Sequence, residues 1–169
     1  QVKARDSVWT GREFVVAGGA SERTMMEETR PKDAATYDPS KDEWTVLPDV
    51  PFTGSIHPHE RSVLLWGPQG GALLENREWK QLPAAPVKAL FRGVKQGRLL
   101  LYGEGKPVGA IYDFKSGSWT ELPKSPLSDR VYNVVHWDGE SVFDWGGWTS
   151  SDKPRIHFKD GASWKIGAK

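Results

Sequence analysis

The chain of 169 residues carries Lys+Arg 23 against Asp+Glu 22, so no bulk field draws it to nucleic acid or to an acidic membrane surface. Its mean hydropathy is -0.58, and no apolar run approaches the ~20 residues that a membrane-crossing helix needs. Cysteine is absent, which excludes disulfides, thiol nucleophiles and Cys-ligated metal centres.

The length suits one domain with a real core, and 18 Gly, 12 Pro and 9 Trp favour many short strands joined by turns. The chain opens on Gln1 with no basic start and no apolar stretch behind it. That start reads as a processed or a trimmed form of a soluble chain, compatible with a secreted or periplasmic protein and with a cytoplasmic one.

In chain order, a first strand is predicted over residues 7–10, with a turn at Thr10-Gly11, followed by the apolar strand FVVA halted by Gly18-Gly19. Residues 21–30, SERTMMEETR, read as a turn or two of helix that Pro31 stops. A third strand carries Tyr37, and after a turn rich in Asp, Ser and Lys a fourth strand starts at Trp44. The order then returns. VLLWG stops at Gly67 and is followed by Leu74 in the tyrosine place and by Trp79. A strand over 92–94, the turn Gln96-Gly97, LLLYG stopping at Gly103, Tyr112 and Trp119 make a third copy. A fourth has a strand over 132–137, Asp138-Gly139, VFDWGG, His157 in the tyrosine place and Trp164. Turns with glycine between such runs are hairpin signals because Gly supplies a positive φ at no steric cost.

The anchors recur together. WTVLPDVP, WKQLPAAP and WTELPKSP begin at Trp44, Trp79 and Trp119, Trp164 opens WKIGAK, and the four Trp lie 35, 40 and 45 residues apart. Four strands repeated every ~42 residues signal propeller blades rather than a sandwich. Equivalent positions make inter-blade packing the expected role of these four Trp, whose large area suits it.

Glycine after an apolar strand, then Tyr, then Trp seven residues later resembles the kelch repeat of β-propellers. Gly18-Gly19, Tyr37 and Trp44 match the pattern fully; Gly103, Tyr112 and Trp119 match with Glu104 for the second glycine. Gly146-Gly147 and Trp164 match with His157 for Tyr, and Gly67 and Trp79 match with Pro68 for the second glycine. The resemblance spans residues 8–166 and implies an all-β propeller of four four-stranded antiparallel blades, at about residues 5–50, 51–86, 87–126 and 127–169. Propellers of that family usually have six or seven blades. Four therefore imply a closed four-bladed ring, half of an eight-bladed homodimer, or a piece of a longer protein.

Chemistry-bearing motifs are few. His57-Pro58-His59 sets two imidazoles on one side of an extended segment, the arrangement for copper or zinc given a third ligand, but four His in the whole chain make it a weak metal candidate. Copper oxidases of the resembled family need a Cys crosslinked to a Tyr, and this chain has no Cys. GEGKPVG at 103–109 lies between two strands and lacks the G-x-G-x-x-G spacing, so it reads as a hairpin loop. No catalytic signature is present and no cofactor is expected. Kelch-like domains bind partners with loops at one mouth of the propeller. That resemblance places Arg23, Arg92 and Arg130 in such loops, an arginine-lined mouth for an acidic protein or peptide. Trp148, which follows Gly146-Gly147 with no aromatic counterpart in the other units, is the aromatic expected to touch a ligand. The alternative is a lectin or enzyme acting on a sugar or sugar acid, with Arg92, Arg130, Tyr132 and Trp148 around it.

Overall fold

The computed structural model describes residues 2–3, 6–18, 20–21, 32–103, 105–149 and 155–166. Strand β1 (Val2–Lys3) pairs with β4 (Ala20–Ser21) as a small antiparallel ribbon. The first four-stranded sheet takes β2 (Asp6–Trp9), β3 (Phe14–Ala17), β5 (Ala34–Asp38) and β6 (Glu43–Leu47), in that order. The second runs β7 (Ser55–His59), β8 (Ser62–Gly67), β9 (Gly70–Glu75) and β10 (Glu78–Gln81). The third runs β11 (Phe91–Lys95), β12 (Arg98–Tyr102), β13 (Gly109–Asp113) and β14 (Ser118–Glu121). The fourth holds β15 (Val134–Trp137), β16 (Ser141–Trp145) and β17 (Gly161–Lys165). All pairs are antiparallel, as hairpins between successive strands require. Among the described residues no helix is long and apolar enough to cross a membrane. Most of the short helix expected over 21–30 lies outside the described residues.

The turn chemistry explains the hairpins. Gln96 and Gly97 both have positive φ, 50° and 67°, which joins Lys95 to Arg98 by a two-residue turn whose twist matches the strands. Register follows the repeat. Tyr37 lies opposite Trp44, Leu74 opposite Trp79 and Tyr112 opposite Trp119. The seven-residue spacing is therefore one cross-strand pair, with ring centroids 5.0 Å apart in the first sheet and 5.1 Å in the third.

Two expectations need correction. Trp164 does not start a fourth strand: it lies opposite Val142 on the strand paired with β16, as Tyr112 lies opposite Leu99. Among the described residues the fourth sheet thus has three strands, and His157 instead forms an isolated bridge with Trp148. Trp44 does not pack between sheets. It is 64% exposed and rests on Tyr37.

The chain divides into two compact units, Gln1–Ala84 and Ala85–Lys169, each with two of the sheets. In the first, Val8, Val15, Ala17 and Leu47 of one sheet share a core with Ile56, Val63, Leu65 and Leu74 of the next, and Trp79 packs on it. In the second, Leu100, Tyr102 and Ile111 share a core with Trp137 and Val142, and Trp164 packs on it. Alternation along each strand sends every second side chain into these cores. Each fully buried Leu or Val contributes about 1.5–3 kcal/mol.

Candidate functional site

In the second unit the connections at one end of the third and fourth sheets are laced together by backbone bridges. Gly105 pairs with Arg130, Val131 with Trp148, and Trp148 with His157. Gly147 permits this close approach: its φ is +87°, and a Cβ there would meet the Val131 carbonyl oxygen at 2.6 Å.

The bridges bring Tyr132 and Trp148 together. Their rings stack with centroids 4.5 Å apart and planes 17° apart, and Tyr132 is 78% exposed. Tyr132 has φ 57°, a conformation a bulky residue adopts only when its surroundings hold it there. His157 lies 5.6 Å from Trp148 at 54°, and the Arg155 guanidinium carbon is 5.7 Å from the Trp148 ring centroid, within cation–π range. The result is a solvent-facing aromatic plate with a cation beside it. Arg155 was not legible as part of a site, because a single arginine beyond a long loop carries no pattern.

Arg130 is directed elsewhere. It is 2% exposed, and its Nε donates to the Ser128 carbonyl at 3.1 Å. Its Nη1 donates to the Gly146 carbonyl at 3.2 Å and to Asp160 Oδ1 at 3.0 Å. Its Nη2 donates to Ser128 Oγ and to Asp160 Oδ2, and the guanidinium lies 4.3 Å over the Phe158 ring. The fork is fully engaged inside the unit. Those bonds hold the Asp160 carboxyl below its ordinary pKa.

Arg92, half-buried on β11, donates from Nε to the Tyr102 carbonyl at 2.8 Å. Burial pulls its pKa down, and the charge of Asp144 opposes that pull. Asp144 is fully buried between the third and fourth sheets. It accepts from Tyr102 Oη at 2.8 Å and from Asn133 Nδ2 at 2.6 Å. Burial, and then the bond to Asp144, push the Tyr102 hydroxyl well above its ordinary pKa. Neither Asp144 nor Asn133 stood out in the sequence, since VFDW reads as an ordinary strand until its register shows that Asp144 faces inward.

Arg23 lies outside the described residues. His57 and His59 share a face of β7; His57 Nε2 is 2.9 Å from Ser55 Oγ, and His59 is buried. Burial lowers the pKa of both. Among the described residues no third His, Cys, Asp or Glu joins them in a group able to hold a metal.

The solved structure of YjhT matches with a TM-score of 0.58 and 13% identity, over 98% of this chain and 70% of that one. The chain therefore has an all-β, propeller-like fold of antiparallel sheets. No protein-family model matches it, and no curated protein matches it in sequence.

Proposed function

We propose that this chain is a binding module, a propeller of kelch-like repeats that recognises an acidic protein or peptide segment on the Tyr132–Trp148 face of its second unit. The observation that carries the reading is the exposed Tyr132 ring, stacked on Trp148 with Arg155 alongside. A rigid aromatic flanked by a cation is the composition of interface hot spots, and Tyr contributes large contact area at small entropic cost. The repeat pattern resembling kelch supports the same reading by analogy of fold. The fully engaged Arg130 holds the scaffold, and Arg92 is turned to the Tyr102 carbonyl.

The test is selection from a displayed 12-residue peptide library on the wild-type chain, followed by affinity measurements with Tyr132→Ala and Arg155→Ala. Enriched peptides rich in Asp and Glu, weakened about tenfold or more by Tyr132→Ala, support the reading; tenfold corresponds to about 1.4 kcal/mol. Binders indifferent to both substitutions contradict it. One feature favours a second reading: a flat, exposed tyrosine face also suits the C–H face of a sugar ring, and Arg155 suits a sugar acid's carboxylate. A sugar acid at 100 times its Kd would stabilise the chain by about 2.7 kcal/mol, and Tyr132→Ala would abolish that gain.

A further inference from the structure

The two cores reveal one packing rule. In each unit the later sheet turns the face bearing its tyrosine-position residue onto the opposite face of the earlier sheet. Val63 and Leu74 of the second sheet meet Val15 and Ala17 of the first. Val142 and Trp164 of the fourth meet Leu100 and Tyr102 of the third. Each unit leaves two faces outside its own core, and the ones on the first sheet and on the fourth bear exposed aromatics.

On the first sheet, the row Trp9, Phe14, Tyr37 and Trp44 crosses all four strands in register, and Val46 lies beside it. Phe14 and Tyr37 occupy the repeat positions of Val63 and Leu74, which are buried on the preceding sheet. Here Trp44 is 64% exposed and Val46 85%. On the fourth sheet, Phe143 and Trp145 occupy the positions of Leu100 and Tyr102, which receive the following sheet. Trp145 is 49% exposed and Val134 62%. Exposed aromatic area of this extent on two whole sheet faces marks an interaction surface, as the uncapped ends of a repeat array do.

We infer that two copies of this chain pair reciprocally, the first-sheet face of each seated on the fourth-sheet face of the other, in the mode that joins neighbouring sheets within each unit. The occupant is a second copy because the chain's own rule makes these two faces complements of each other. The first-sheet row and Val46 also carry no charge that a different partner would have to match. This inference stands independently of the recognition site proposed above.

The experiment is molar mass by light scattering on a sizing column, for the wild type, Val46→Glu, Val134→Lys and an equimolar mixture of the two variants. Both positions are exposed in the single chain, and far-UV circular dichroism checks that each variant keeps the wild-type fold. The expected result is a dimer, twice 18.9 kDa, with each variant shifted to the monomer. The mixture regains dimer, because one first-to-fourth contact between the two variants is unaltered. A wild type at 18.9 kDa at every concentration overturns the inference. So does a mass that neither substitution moves, or a mixture that stays monomeric, which would mean like faces pair with like.

Discussion

Replacing Asp144 by Ala tests the polar link between the third and fourth sheets. The carboxylate accepts from Tyr102 Oη at 2.8 Å and from Asn133 Nδ2 at 2.6 Å, and both the carboxylate and Tyr102 are buried. Alanine leaves two donors without acceptors, at about 1–3 kcal/mol each. The desolvation cost of the buried charge disappears with it and offsets part of that loss. The net expectation is a destabilisation of about 3 kcal/mol, or a fall in Tm of roughly 6–12 °C at about 2–4 °C per kcal/mol for a chain of this size. Asp144→Asn is the informative companion. Its Oδ1 still accepts from Asn133, and its Nδ2 donates to the Tyr102 oxygen, so it should cost at least about 2 kcal/mol less than Ala. Urea unfolding of the three proteins, followed by near-UV circular dichroism, gives the comparison. If Asn costs as much as Ala, the charge facing Arg92 matters more than the two hydrogen bonds, and the reasoning fails. It also fails if both changes are neutral.

Other outcomes follow from the same geometry. Burial lowers the His59 pKa, so as pH drops below about 6.5 the unfolded chain takes up the proton first. Stability is then full above that pH and declines below it, and a Tm series from pH 7.5 to 5.0 should show a shallower fall for His59→Gln. Tyr102 is raised instead. Above pH about 10 the unfolded chain loses that proton while the folded chain keeps it, which removes about 1.4 kcal/mol per pH unit. Tyr102→Phe should flatten this alkaline decline in urea titrations at pH 9–11. Arg130→Ala orphans the Gly146 carbonyl and leaves a void beside Phe158, at a cost of about 2–4 kcal/mol. Asp160→Asn, at a side chain that is 61% exposed, should cost less in the same denaturation assay; the reverse order would contradict the structural role given to Arg130.

The repeat was readable because each anchor has one local cause. Glycine stops, hairpin turns such as Gln96-Gly97, and a tyrosine directly across the ladder from a tryptophan all act within a few residues. The fourth unit differs because Trp164, opening WKIGAK, looks like the start of an outer strand, and only pairing of residues 161–165 with 141–145 shows which strand it is on. Arg130 read as lining a mouth for an acidic partner, since the groups that engage it, Gly146 and Asp160, lie 16 and 30 residues away. The Tyr132–Trp148 stack likewise depends on a bridge from Val131 to Trp148 that no spacing encodes. Trp44 was expected inside because it shares its repeat position with Trp79, which does pack on a core; exposure depends on what covers a sheet, which its own sequence does not state.

The claim that recognition occurs at the laced end of the third and fourth sheets is tested most directly by amide hydrogen exchange, with and without an acidic peptide recovered from the library. The account predicts new protection over residues 130–133, 147–149 and 155–158, and its loss in Tyr132→Ala. Protection confined to the first unit, or a bound peptide that leaves those three segments unchanged, would contradict it.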